Sequence, residues 1–254
     1  MNARQRIVLG FSLIFLLVLD GASRTSASGA PAHLPRLTLW AWERPESLTF
    51  LNPGEVAVAF LAETVYLDEH PTVRPRMQPL RVDEGTPLIA VTRLEVTPRT
   101  PTAFGVSYIE AVAREIAHIG SFPQVRAVQI DFDAMRSHHD FYRALLTHVR
   151  PLLPHGMLLS ITALGSWCLG DDWLAGLPID EAVPMLFRMG IDRGTIMHAL
   201  ETGADFREPL CRSSLGVSTD EPWPDSLLGR RIYVFNPYPW NERTFQAVER
   251  KLAP

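Results

Sequence analysis

Residues 125–134 read VRAVQIDFDA and contain the strand on which the prediction of the fold depends. Valine, isoleucine and phenylalanine in such a short run are typical of a buried β-strand. Asp131 and Asp133 stand at its end, although an unpaired ionised carboxylate is among the costliest groups to bury. The strand is therefore expected to end where solvent and ligands begin.

Helical patterns lie on both sides of this strand. Residues 108–119 carry apolar side chains at helical spacing, and Gly120 closes the pattern. A second helix is predicted around residues 141–153, a short one at 195–200 and an amphipathic one at 242–252.

Seven further apolar runs are typical of strands: residues 37–42, 56–61, 87–92, 157–163, 182–187, 214–217 and 231–235. Strands that alternate with helices favour a parallel sheet, and eight strands are the number in an α/β fold of the (β/α)8 TIM barrel type. No good helix separates the first three strands, so we expect the first third of the barrel to be irregular. A doubly wound open sheet is the alternative, although no glycine-rich turn follows the first strand.

The first 30 residues have the pattern of a secretory signal peptide with a short linker. Arg4 and Arg6 precede an apolar run over residues 7–19, and small residues follow. The apolar run is short for a membrane span, although an uncleaved N-terminal membrane anchor is the alternative. We therefore predict an exported protein, periplasmic or secreted, with one barrel domain over residues 31–254.

The overall composition excludes some classes of partner. The chain is 46% hydrophobic and 20% charged, with a net charge of -4, whereas a nucleic-acid-binding protein usually carries a basic patch. The pair His138-His139 lacks companion ligands, and no glycine-rich phosphate loop is present. We therefore predict no nucleic-acid partner, no metal and no cofactor, and the sequence indicates no particular oligomeric state.

Cys168 and Cys211 are the only cysteines of the chain. An exported protein meets an oxidising compartment, which favours a disulfide between them. By the chain-entropy model such a bond would contribute about 4 kcal/mol to the free energy of unfolding. The alternative is two buried free thiols.

In the predicted barrel, the position of Asp131 and Asp133 makes them candidate catalytic residues. Functional residues of a (β/α)8 barrel lie at the C-terminal ends of its strands. Side chains alternate along a strand, so Gln129, Asp131 and Asp133 share one face, which we expect to face the barrel axis. Two like charges so close raise the pKa of at least one carboxyl, which suits acid–base cleavage of a glycosidic bond. The alternative is that Asp131 bonds neighbouring strands and Asp133 caps the next helix.

Other polar and aromatic residues follow other strands, and carboxylates, arginines and aromatic rings together are typical of a sugar-binding cleft. We predict that a carbohydrate or cell-envelope polysaccharide is bound by Glu63, Arg93, Glu95, Trp167, Arg188, Asn236, Tyr238 and Trp240. Glu63 or Glu95 is then the candidate second carboxylate. The alternatives are that Arg188 pairs with Asp131 or Glu63, and that the tryptophans belong to the core.

Five segments together resemble the bacterial family called domain of unknown function 3142: LWAWERPESLTFL, VQIDFDA, LLSITALGSWCLGDDWL, DEAVPMLFRMG and GVSTDEPWP. The similarity runs from about residue 37 to residue 240. The resemblance implies a relative of TIM-barrel glycoside hydrolases. The closer analogy is to chitinase-type barrels, whose fourth strand ends in DxDxE with the glutamate as general acid.

The chitinase pattern is matched only in part. Alignment of the apolar positions puts Asp133 in the place of the acid, whereas alignment of the first aspartates puts Met135 there, which cannot donate a proton. Phe187 and Arg188 replace the two polar residues that assist the acetamido group of the substrate. The resemblance therefore implies a glycoside-hydrolase-like protein, and these departures support the alternative of a non-catalytic carbohydrate-binding or cell-envelope scaffold protein.

Overall fold

The computed structural model describes residues 34–170, 172–225, 227 and 229–253 of the chain. The expected signal peptide and linker, residues 1–30, lie outside the described residues. None of the helices within these ranges has the length and the apolar character that a membrane crossing needs.

The described residues form eleven strands: β1 (Leu37–Ala41), β2 (Glu46–Ser47), β3 (Val56–Tyr66), β4 (Thr72–Pro75), β5 (Leu80–Arg81), β6 (Leu88–Glu95), β7 (Val125–Asp131), β8 (Leu158–Leu164), β9 (Glu181–Met185), β10 (Ser214–Ser218) and β11 (Arg231–Phe235). Eight of them form a parallel sheet in the order β1-β3-β6-β7-β8-β9-β10-β11. Because β1 pairs with both β3 and β11, the sheet closes on itself. The predicted (β/α)8 TIM-type barrel is confirmed.

Helices pack on the outside of this barrel: α1 (Val106–Ile119), α2 (His139–Val149), α3 (Gly165–Leu169), α4 (Arg193–Glu201) and α5 (Glu242–Leu252). The four predicted helices are all present, and α3 is an addition. On α1 the side chains of Ile109, Val112 and Ile116 are buried, which accounts for the spacing seen in the sequence.

The first third of the barrel is irregular, as expected. No helix separates β1 from β3 or β3 from β6. The connections instead contain short strands: β4 pairs antiparallel with the C-terminal half of β3, and β2 pairs with β5.

The strands divide the core into two layers. Along β3, Val58 and Phe60 join the large outer cluster with the helices. The alternate residues Ala57, Ala59 and Leu61 join a smaller cluster with residues of other strands, inside the barrel. This division follows from the two-residue repeat of a strand.

Polar side chains fill the lower part of the barrel interior. Glu181, the first residue of β9, accepts hydrogen bonds from Arg231 at 2.5 Å and from the hydroxyl of Tyr233 at 2.8 Å. Gln129 accepts a hydrogen bond from the indole N–H of Trp40 at 2.9 Å and donates one to the hydroxyl of Ser160 at 3.2 Å. We call Glu181, Arg231 and Tyr233 the floor, because they lie toward the N-terminal end of the barrel and do not line the cleft described below.

The predicted disulfide is confirmed. Cys168 and Cys211 are bonded, and both are fully buried. The bond joins α3, which directly follows β8, to the short 3-10 turn Pro209–Cys211 that precedes β10.

Candidate functional site

A cavity of about 500 Å³ lies at the C-terminal ends of the barrel strands. Its lining comes from the ends of β1, β6, β7, β8, β9 and β11 and from the loops that follow them. We call this cavity the cleft. Of the predicted site residues, it brings together Arg93, Asp131, Asp133 and Arg188.

Asp131 is the last residue of β7, and its buried carboxylate has a partner for each oxygen. Oδ2 accepts a hydrogen bond from Nη1 of Arg93 at 2.9 Å, and Oδ1 accepts one from Oγ1 of Thr162 at 2.7 Å. Burial raises the pKa of Asp131, although both of these donors act in the opposite direction. The like charge of Asp133 adds less to this rise than burial does.

Asp133 lies two residues beyond Asp131, in the loop after the strand, and its side chain is 60% exposed. Its Oδ2 is 3.8 Å from Nη2 of Arg93, so one guanidinium stands between the two carboxylates. The Nε atom of Arg93 also donates to Glu95 at 2.5 Å. The two aspartates therefore open onto one cavity in different environments, one buried and one in contact with solvent.

Arg188 is tied to the loop after β10. Its guanidinium donates to both carboxylate oxygens of Asp220, at 3.2 and 2.9 Å, and to Glu221 at 2.7 Å. These pairs correct the alternative that Arg188 is the partner of Asp131 or Glu63. The bonds from Arg188, and then from Ser218, lower the pKa of Asp220 to about 2.

The backbone of Arg188 has a φ of 55°, a left-handed conformation that is rare for a residue with a Cβ atom. Such backbone strain tends to occur at functional sites, where the surrounding contacts maintain it. Here the backbone N–H of Arg188 donates to Glu221 at 3.0 Å, so the same carboxylate holds both the backbone and the side chain.

Aromatic rings line one side of the cleft. Phe187 and Phe235 stack with their centroids 5.6 Å apart and 4° between their planes. Trp40 meets Phe187 edge-on at 6.1 Å, and Trp42 meets Phe235 at 6.4 Å. We call these four residues the aromatic wall. None of them belonged to the predicted sugar-binding set, and only Phe187 was noted, as a departure from the chitinase pattern, although each lies at or just after the end of a barrel strand.

Six residues of the predicted sugar-binding set do not line the cleft: Glu63, Glu95, Trp167, Asn236, Tyr238 and Trp240. Trp167 is buried and stacks on Trp173 with ring centroids 4.2 Å apart, outside the barrel. Trp240 is buried and donates from its indole N–H to a backbone carbonyl of β1 at 2.9 Å. Asn236 donates to the backbone carbonyl of Tyr238 at 2.8 Å, so it shapes the loop before α5.

Glu63 also lies away from the cleft, on the outer side of β3. It is buried there, and it accepts a hydrogen bond from the hydroxyl of Thr92 at 2.8 Å. Burial raises the pKa of Glu63 to about 7, and the charge of Glu115 on α1 contributes to the rise. Its position does not suit the predicted role of second carboxylate in the cleft.

Asp192 is a cleft carboxylate that the sequence analysis missed. It is exposed at the end of the 3-10 turn Gly190–Asp192 and lines the cleft beside Ile196 of α4. Among the described residues, no hydrogen bond or ion pair involves its carboxylate. Within the same residues, no group of three or more histidine, cysteine, aspartate or glutamate side chains is arranged to hold a metal ion.

Among solved structures, the chitinase domain of the spore coat protein CotE from Clostridium difficile is similar to this chain, with 13% sequence identity and a TM-score of 0.39. The match covers 63% of this chain and 52% of that chain, so it spans about half the length of the chitinase domain. No family model and no curated protein matches the chain. The assignment of a (β/α)8 barrel therefore depends on the strand order of the chain itself.

Proposed function

We propose that this protein is a glycoside-hydrolase-like protein that binds a carbohydrate, such as a cell-envelope polysaccharide, in the cleft. The observation that carries the proposal is the position of Asp131, Asp133 and Arg93 in the same cavity as the aromatic wall. A sugar ring has apolar faces and a rim of hydroxyl groups. It therefore suits a site with aromatic surfaces and a few placed polar groups.

Asp133 is the general acid in this proposal. Its exposed side chain is free to reach a glycosidic oxygen, whereas both oxygens of Asp131 are already bonded. Asp131 is the positioning partner, because it fixes Arg93 at 2.9 Å, and Arg93 in turn contacts Asp133. Asp133 also occupies the place of the acid when the apolar positions are aligned with the chitinase pattern.

Cleavage needs a second carboxylate to activate water or to attack the sugar. Asp192 is the candidate, because it lines the same cleft. Asp133 would transfer its proton to the leaving oxygen. Asp192 would accept a proton from the water that attacks the anomeric carbon.

Export and family membership are parts of the same proposal. The buried bond between Cys168 and Cys211 is typical of proteins that mature in an oxidising compartment. It therefore supports a periplasmic or secreted location, reached through the predicted signal peptide. The resemblance to domain of unknown function 3142 supports the same assignment to glycoside-hydrolase-like proteins.

The test is a panel of glycans treated with the native protein and with Asp133→Asn. We expect the native protein to release product and the substitution to reduce the rate about 100- to 10,000-fold, as for the loss of a general acid. Asp140→Asn, an exposed aspartate of α2, is the matched control and should leave the rate unchanged. Equal hydrolysis by native protein and Asp133→Asn would refute the role of Asp133.

A second candidate function is carbohydrate binding without cleavage. One observation favours it: Arg93 contacts both aspartates, so its positive charge compensates the carboxylates of the proposed acid and its partner. In that case the native protein and Asp133→Asn would bind the same glycan with similar affinity, and neither would release product. Isothermal titration calorimetry alongside the hydrolysis assay distinguishes the two functions.

A further inference from the structure

We propose that the ligand of the cleft is amphipathic: a glycoside whose sugar is attached to an alkyl or aryl group. This inference rests on the proposed function and specifies the class of substrate at the same site. Two features carry it, the aliphatic side of the cleft and the small number of polar groups left for hydroxyls.

The side of the cleft formed by β8, β9 and α4 is aliphatic. Four side chains line it, and we call them the aliphatic wall: Leu164, Met185, Met189 and Ile196. Leu164 remains 38% exposed at the end of its strand. Sugar hydroxyls buried against these side chains would lose water without gaining a partner, which is unfavourable. An alkyl or aryl group gains free energy there, and methionine side chains adapt to its shape.

Most polar groups of the cleft are already bonded within the protein. Arg93 holds Asp131, and the hydroxyl of Thr162 donates to the same carboxylate. Arg188 is paired with two carboxylates of the loop after β10. Among the described lining residues, the polar side chains that form no hydrogen bond to another residue are Trp42, Asp133, Ser166 and Asp192. Four such groups suit one sugar unit better than a cleft filled with hydroxyls.

The aliphatic surface continues beyond the cleft on the neighbouring loops. Ile191 is 97% exposed and lies in the sequence between two lining residues, Met189 and Asp192. Met135, two residues after Asp133, is also largely exposed. The occupant that fits is therefore a sugar at the aspartates whose apolar group follows the aliphatic wall toward these loops.

The experiment measures binding of a series of n-alkyl glycosides, from methyl to octyl, below their micelle-forming concentrations. Several sugar head groups are tested by calorimetry with the native protein. We expect the affinity to rise about two- to fourfold for each added methylene that the wall covers. Leu164→Ser should reduce this dependence on chain length. Leu152→Ser should not, because Leu152 is 48% exposed in the 3-10 turn that follows α2 and does not line the cleft.

An affinity that does not change with chain length for any head group would overturn the inference. An affinity that depends on chain length equally in Leu164→Ser and in the native protein would also overturn it. Met189→Gln provides a second variant if Leu164→Ser does not fold. Hexanol that bound as tightly as hexyl glycoside would also contradict it, because the sugar would then contribute nothing.

The outcomes separate this inference from the proposed function. Hydrolysis of unsubstituted oligosaccharides, lost in Asp133→Asn and accompanied by no effect of chain length, would leave the proposed function standing and remove the inference. Binding that depends on chain length and on the sugar, without release of product, would support the inference and contradict cleavage.

Discussion

The carboxylate of Asp131 is compensated by donors from the two strands beside it. Arg93 lies opposite Asp131 in the pairing of β6 with β7. Thr162 lies on β8, the other neighbour of β7. The sequence predicted Asp131, Asp133 and Arg93 as candidate site residues, but it could not show that Arg93 stands between the two aspartates, because that contact depends on strand order and register.

Removal of Arg93 should destabilise the fold. Arg93→Met leaves Asp131 buried with one partner fewer, and we expect the free energy of unfolding to fall by about 2–3 kcal/mol, as for the loss of a hydrogen bond to a charged group. Urea unfolding measures the effect. Arg114→Met is the control, because the Arg114–Glu110 pair is exposed on α1 and should contribute little. Equal losses in the two variants would contradict this account.

Glu63 should make stability depend on pH. Its pKa rises on folding from 4.5 to about 7, so between these values the folded state binds more protons than the unfolded state. Stability therefore falls as pH rises through this window. Glu63→Gln should reduce this dependence of stability on pH. At pH 8 its free energy of unfolding should exceed that of the native protein by roughly 2–3 kcal/mol.

Unfolding curves at pH 4.5, 6 and 8 test this prediction for Glu63. Glu110→Gln, on the exposed face of α1, is the control and should follow the native protein at each pH. If the free energy of unfolding of Glu63→Gln falls with pH as steeply as that of the native protein, the pH dependence belongs to other groups, of which buried Asp131 is one.

At the scale of elements, β4 and the residue after it replace the missing helices of the first third. Arg76 donates to the backbone carbonyls of Trp42 and Arg44, each at 2.7 Å, and to that of Gln78 at 2.8 Å. One planar guanidinium thus joins the connection after β1 to the connection between β4 and β5. These contacts hold Trp42, and with it the aromatic wall, at the edge of the cleft.

Arg76→Lys should weaken this junction, because an ammonium group cannot match the planar set of donors of a guanidinium. We expect a loss of roughly 1–2 kcal/mol in the free energy of unfolding. Arg74→Lys, an exposed position of β4 itself, is the matched control. A loss of the same size in both variants would show that the contacts of Arg76 have no special importance.

The eight barrel strands and four of the helices were predictable, because each contains an apolar run or an apolar face long enough to be recognised in the sequence. The strand β4 was not, since its sequence TVRP is mostly exposed, contains a single apolar side chain apart from proline and pairs only with the extension of β3. The aromatic wall was also missed. Trp40 and Phe235 resemble core residues, and only closure of the barrel brings them to one cavity.

At the scale of the whole molecule, the disulfide connects the segment after β8 to the segment before β10. Replacement of both Cys168 and Cys211 by serine should lower the free energy of unfolding by about 2–4 kcal/mol. For a chain of this size we expect the melting temperature to fall by roughly 5–15 °C. Calorimetry of the native protein and the double variant measures this, and unchanged melting would contradict it.

The floor of the barrel limits how a ligand can move. Glu181, Arg231 and Tyr233 close the end opposite the cleft, so a long glycan cannot be threaded through the molecule. Whatever enters must leave by the opening through which it came. A departing molecule therefore obstructs the next arrival, and a fragment of the ligand that is retained in the cleft should act as a competitive inhibitor.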